Sequence, residues 1–341
     1  MQPVTERRPR NAATRWLAAV LLLAMAGPMP AQDEAAGAAH RAWVQGLPGR
    51  LAADGGPRDL ALAALLRQVV REPADGDPAG ADPQAEAWRE TAFARAGTDV
   101  VALTLVLAGA TADEAVRERA LDRWRQLEPG NLAPWLADHD ASVDEVLEAA
   151  RSATRVDSHL YGQLRATVDA LGRHPPTPEQ AALLVGRADS PSTLEGLAAL
   201  QGMSLLAAVA VPALQPLLQT CREAFAADSA SGHAADCRSA AALMVGADTM
   251  LLRLVGLGLA ETVAGDAEAQ RAARAARRRF DWQMVEWGRL SAAAAAGGLD
   301  DLARLLDDPA IVDEPALVER LLTEAGIPLQ PPAGWEPPRG G

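Results

Sequence analysis

Apolar residues along most of this chain return every three to four positions. Ala120, Leu121, Trp124 and Leu127 form one such stripe, Val143, Val146, Leu147 and Ala150 a second, and Leu160, Leu164, Val168 and Leu171 a third. That spacing places the side chains on one face of a helix, and the face must be buried against a neighbour. Similar patterns predict helices at 34–47, 58–72 and 84–95, separated by Gly55-Gly56-Pro57 and by the Pro/Gly/Asp stretch 73–83. Residues 99–107 contain Val100, Val101 and Val106, which suit a strand, but Ala and Leu neighbours and the lack of partner strands favour a buried helix. Further helices are predicted at 193–210, 213–225, 234–245, 248–263, 266–290, 299–307 and 315–325. Pro212 and Pro216 break the first pair, Asp248 starts the helix that follows 234–245, and Gly326 stops the last.

Helix starts are marked by a cap residue followed three positions later by Glu or Gln, so that each side chain satisfies an amide of the first turn. Thr111 with Glu114, Ser142 with Glu145, Thr177 with Gln180 and Ser192 with Glu195 fit, and Pro178 occupies the first helical position after Thr177. Ala and Leu dominate the apolar residues and aromatics make up only 4%, which again suits helices rather than sheet. The expected fold is all-α, an irregular array of about fourteen antiparallel helices. The Pro-rich joint at His174–Pro178 is the candidate seam between halves 32–173 and 174–330, a continuous array being equally allowed, with 331–341 as an extended Pro-rich tail. Trp335 in that tail either docks on the body or is exposed.

The two ends and the charge narrow the setting. Arg7, Arg8, Arg10 and Arg15 precede an apolar run from Trp16 to Ala26 and then small residues, the layout of a secretory signal. The run would span roughly 17 Å as a helix against about 30 Å of bilayer hydrocarbon, so cleavage is expected, after Ala31, rather than anchoring. Losing residues 1–31 removes four Arg and one Glu and takes the net charge from −13 to −16. Such a chain is a poor general partner for nucleic acid. All 32 basic residues are Arg, which excludes lysine Schiff-base chemistry and the lysine of a phosphate-binding P-loop. The only two cysteines, Cys221 and Cys237, flank a Ser/Gly turn, and in an oxidising periplasmic or secreted setting they are expected to form a disulfide across a helical hairpin.

Between Leu121 and Trp135 the chain resembles the junction of two tetratricopeptide repeats. Leu121 and Leu127 lie on one helix, Glu128-Pro129-Gly130-Asn131 follows, and Trp135 comes six residues after Pro129. The resemblance implies a solenoid-like helical array with a peptide-binding groove. It assigns no groove residues. Asp82-Pro83 followed by Trp88 repeats the pattern one residue short, Trp124 stands where the family has a small Ala, and His139 stands where it has Gly or Ala.

The chemistry of a catalytic site is sparse. Asp138-His139-Asp140 and Asp157-Ser158-His159 put carboxylates beside imidazoles, but adjacent residues on a helix point apart, so only convergence in the fold would make a site. His40, His174 and His233 are scattered, and Gly256-Leu-Gly258 lies in an apolar helix where close helix packing is expected. No cofactor or metal site is expected. The main charge feature is Arg271, Arg274, Arg277, Arg278 and Arg279, followed by Phe280, Trp282 and Trp287. In an acidic protein these Arg either pair internally, Asp300, Asp301, Asp307, Asp308, Asp313 and Glu314 being one source of counter-charge, or grip a partner. The expected role is an exported non-catalytic scaffold binding a protein or peptide. A hydrolase or metal-dependent enzyme built from dispersed Asp and His, and a protein binding anionic lipid or glycan through the Arg stripe, are the alternatives.

Overall fold

A computed structural model describes residues 31–70, 82–109, 114–186, 190–207, 214–293 and 298–338. Residues 1–30 of the expected signal segment 1–31, residues 71–81, Thr111 and Pro212 lie outside the described residues. Sixteen helices occur among the described residues, in place of about fourteen, and no strand; one isolated bridge pairs Asn131 with Arg155. In chain order they are α1 (Ala31–Asp54), α2 (Pro57–Val70), α3 (Pro83–Ala96), α4 (Val100–Leu107), α5 (Glu114–Leu127), α6 (Ala133–Leu136), α7 (Val143–Ser152) and α8 (Leu160–Arg173). There follow α9 (Pro178–Leu184), α10 (Leu194–Ala207), α11 (Gln215–Ala227), α12 (Gly232–Val245), α13 (Met250–Thr262), α14 (Ala267–Ala293), α15 (Gly298–Leu306) and α16 (Glu314–Glu324).

Local signals account for most helix ends. The boxes at Ser142/Glu145 and Thr177/Gln180 are both closed reciprocally, and Asp99 caps α4, so the valine-rich stretch is helical. Gly326 has φ +69°, and the amide of Ile327 bonds Leu322 O, which satisfies a terminal carbonyl of α16. Three expectations are corrected. Helix α1 continues past residue 47 and through Pro48, because Leu47 and Leu51 on either side are fully buried and the Arg50 guanidinium donates to Trp43 O and Gly46 O. The cap of α10 is Thr193 rather than Ser192, its Oγ1 accepting from Gly196 N at 3.0 Å. Thr249 caps α13 in place of Asp248, whose carboxylate is drawn to Ser158 instead.

Helices α1 to α5 pack in succession, with α2 also on α4 and α3 also on α5. Helix α8 crosses to α2 and α4, and α9 returns to α1. One buried cluster therefore joins Trp43, Leu47 and Leu62 to Ala170, Leu184 and Leu197, spanning the His174–Pro178 joint. A second cluster gathers Trp124, Leu132 and Leu147 with Leu217, Met244 and Leu259. Cys221 and Cys237 lie inside it, fully buried, joined by a disulfide of S–S 2.01 Å between α11 and α12. Closing this loop contributes about 3 kcal/mol by restricting the unfolded chain. A Cβ on Gly256 would fall 2.5 Å from backbone atoms of Met244 and Val245, so glycine is what allows α13 to approach α12. Gly258 has no such constraint, its nearest neighbour being Arg277 at 3.9 Å. Helix α14 lies on α13 and α16, with Phe280 buried against Met250, Val318 and Leu322.

Candidate functional site

Two regions concentrate polar groups. The first surrounds the connection between α7 and α8. Glu128, just after α5, accepts from Trp124 Nε1 at 2.8 Å, Asn131 Nδ2 at 2.9 Å and Arg155 at 2.8 Å, and its Oε2 lies 2.9 Å from His159 Nε2. Buried Asn131 also donates to Asp157 O and accepts from Asp157 N, so one amide side chain bridges the turn after α5 to residues 157–159. His159 adopts φ +56°, unique among the described non-glycine residues. Burial acts to raise the Glu128 carboxyl, but hydrogen bonds from His159, Asn131 and Trp124 outweigh it and hold the group down to about 2.

One residue away the environment reverses. Asp248 Oδ1 accepts from Ser158 N at 2.9 Å and Oδ2 from Ser158 Oγ at 2.7 Å. Glu314 Oε2 accepts from Met250 N at 2.7 Å, and Glu314 N donates to Asp248 O. Burial raises both carboxyls; Asp157 adds repulsion at Asp248, and Asp248 and Asp313 add it at Glu314. Asp248 is pushed up to about 6. The Ser158 hydroxyl thus serves Asp248 while the His159 ring serves Glu128, so the Asp157-Ser158-His159 triplet forms no hydroxyl–imidazole pair among the described contacts.

The remaining histidines face separate partners. His40 meets Gln201 at 2.7 Å, His174 meets Asp54 at 2.8 Å, and His233 lies 3.5 Å from Asp144. His139 is exposed, while its neighbour Asp138 pairs with Arg125 at 2.6 Å, and Arg125 stacks over Trp135 at 4.0 Å. Trp135 itself sits on α6, a single turn long. Among the described residues no group of three or more His, Cys, Asp or Glu is arranged to hold a metal ion, and no helix is long and apolar enough to cross a membrane.

The second region is the outer face of α14. Of the five predicted Arg, Arg277 pairs with Asp281 at 2.8 Å and Arg279 with Glu319 at 3.0 Å. Arg278 donates to Trp335 O at 2.7 Å and Pro332 O at 2.9 Å. Arg271 and Arg274 are exposed with no ion pair among the described residues. Counter-charge comes from Asp281 and Glu319 rather than from the acidic stretch 300–314; there Asp301 faces Arg304 and Asp308 faces Arg320. The tail docks: Trp282 Nε1 donates to Pro328 O at 2.7 Å, Gln283 Nε2 to Leu329 O at 3.3 Å, and the Trp282 and Trp335 rings meet edge to face at 5.4 Å. A groove of about 470 Å3 lies between Arg274, Arg277 and Arg278 on one side and Gly334–Pro337 on the other, with Glu261 and Asp281 at its border. Its three guanidinium groups are matched by three carboxylates, Glu261, Asp281 and Glu336, so it is nearly neutral.

Sequence reasoning singled out the Arg and Trp of α14 but not their partners in the tail, and it missed Glu128, Asn131 and the Asp248–Glu314 pair as one network. No spacing in the chain links these residues. Compared with protein-family models, with curated proteins and with solved structures, the chain matches none.

Proposed function

We propose that this chain is an exported, non-catalytic helical scaffold that binds protein or peptide partners along α14. The observation that carries the reading is that α14 already holds a proline-rich segment, its own tail with a turn at Ala333–Gly334, through side-chain donors beside a groove of about 470 Å3. Grooves of this size with a few fixed polar groups suit ligand side chains. The Arg-rich, then apolar, then small-residue N terminus and the buried disulfide support export into an oxidising compartment, with the mature chain starting at Gln32.

The test is a photo-crosslinking residue at position 274 in the exported full chain, with position 118, exposed on α5, as control. A discrete crosslinked species from 274 alone, with an N terminus at Gln32, is the expected result. Crosslinks from neither position, or equally from both, would reject the scaffold role. Exposed, unpaired Arg271 and Arg274 favour a second reading, contact with anionic lipid or glycan. Salt-sensitive binding to anionic vesicles that is lost in the Arg271→Gln/Arg274→Gln variant would support it, and the near-neutral groove argues for no binding.

A further inference from the structure

We propose that the junction of Asp248, Glu314 and Ser158 is a pH-sensitive latch. In acid it ties the start of α16 to α13 and to the connection between α7 and α8; as its two carboxyls ionise, the start of α16 opens locally while the rest of the fold holds. The latch needs no partner, and it stands whether or not α14 binds one.

Three segments far apart in the chain meet here. Glu314 N donates to Asp248 O at 3.1 Å and Glu314 Oε2 accepts from Met250 N at 2.7 Å. Asp248 N donates to Val156 O at 3.2 Å, while the Asp248 carboxylate accepts from Ser158 N and Ser158 Oγ. The donors to both carboxyls are thus neutral amides and one hydroxyl. The charges around them are mostly of the same sign: Asp157 faces Asp248, and Asp313, which caps α16 through Ala316 N at 2.7 Å, faces Glu314. Arg253 on α13 donates to Ala247 O at 2.7 Å and pairs with no carboxylate among the described residues, and His159 is engaged by Glu128. Arg279 from α14 reaches Glu319, Arg304 from α15 reaches Glu324, and Arg320 pairs with Asp308, so these cations serve residues 319–324 rather than the first turn of α16. A helix N terminus compensates only about half a charge, and two carboxyls sit at the start of α13. Burial pushes both of them up, in keeping with a junction closed by protonated groups.

What opens follows from what each bond holds. Once ionised, Asp248 and Glu314 repel, and the bonds pulled apart are the two that tie Glu314 to Asp248 O and Met250 N. Val312, just before the junction, is 70% exposed, so water reaches Glu314 after a small displacement. Further along, Val318 and Leu322 are fully buried against Met250 and Phe280, and the pairs at Glu319 and Glu324 keep the rest of α16 seated. The sign is fixed by linkage: carboxyls raised on folding stabilise the closed junction in acid and lose that contribution as pH rises, Asp248 through about 6.

The experiment is amide hydrogen exchange of the oxidised chain, read by mass spectrometry at about pH 5 and about pH 8 with intrinsic rates corrected, comparing residues 314–318 with α3. Protection of 314–318 is expected to fall about ten-fold or more between the two pH values, and at the higher one to lie about ten-fold or more below that of α3. Asp248→Asn removes one of the two charges and should cut the fall to about three-fold or less. Glu314→Gln should do the same, and it decides if Asp248→Asn does not fold. Unchanged protection of 314–318 between the two pH values overturns the latch. So does equal protection of 314–318 and α3 in the alkaline sample, which would mean that the whole fold opens. A fall that persists in a folded variant, as histidines titrating in the same range would give, overturns it as well.

Discussion

Glu128 and Asp248 are both carboxylates drawn out of water, and they are reached from adjacent residues, His159 and Ser158. Their charges are nevertheless treated in opposite ways. Glu128 gathers four side-chain donors, among them a guanidinium and an imidazole, which more than compensate the lost hydration. Asp248 accepts from one neutral hydroxyl, that of Ser158, and from the backbone amides of Ser158 and Leu160, and it faces Asp157 and Glu314, so each added negative charge makes the next harder to hold. Burial alone does not decide which way a carboxyl shifts. The number of donors and the sign of the neighbours do.

The strongest way to break this contrast is Glu128→Ala. It leaves the Trp124, Asn131 and His159 donors without their acceptor and should destabilise the fold by about 3 kcal/mol at neutral pH, measured by urea titration followed by circular dichroism. A change below about 1 kcal/mol would show that the node is not structural.

Asp248→Asn should act with the opposite sign. Holding Asp248 near 6 rather than 3.8 disfavours the folded state by about 3 kcal/mol once the group is ionised in both states. A neutral amide removes that penalty but weakens the bonds from Ser158, so a net gain of about 1–2 kcal/mol is expected at about pH 7.5. The gain should vanish at about pH 3, where the native carboxyl is neutral. Destabilisation at both pH values would sink the assignment of a strained charge.

The unmodified chain carries both effects in its pH profile. The Glu128 carboxyl is lowered on folding, so its contribution is present above about 4.5 and is lost as pH falls toward 2. Solvent screening leaves about 1–2 kcal/mol of it. Asp248 and Glu314 are raised on folding, so their contribution is present below about 4 and is lost as pH rises through about 6 at Asp248. Stability from these three groups should therefore peak near pH 4–5, and a profile rising monotonically to pH 7 would contradict the Asp248 half. The smallest expected effect is from His159→Asn, about 1 kcal/mol, because Asn tolerates the left-handed backbone while losing the reach to Glu128. His159→Val should cost clearly more in the same titration, since a β-branched residue resists that conformation.

How much of this was legible beforehand follows the range of each interaction. The capping pairs at Ser142 and Thr177 span three residues, and the stripes on α5, α7 and α8 repeat within one or two turns, so both are written in contiguous sequence. The Cys221–Cys237 bridge and the close approach at Gly256 were also foreshadowed, the first by a lone pair around a turn and the second by a small residue in an apolar helix. The run of α1 past residue 47 was not legible, because it depends on the burial of Leu47 and Leu51 on either side of Pro48.

The chain by itself determined that its residues form helices, where most begin, which faces seek cover and which two sulfurs could meet. Tertiary structure alone decided that Glu128 would meet His159 across 31 residues, Asp248 would meet Ser158 across 90, and Arg278 would meet Trp335 across 57. Helical periodicity specifies an apolar face but not the rotation and height at which two such faces settle. Those depend on the packing of every other helix, and they set whether a carboxylate finds a cation or another carboxylate.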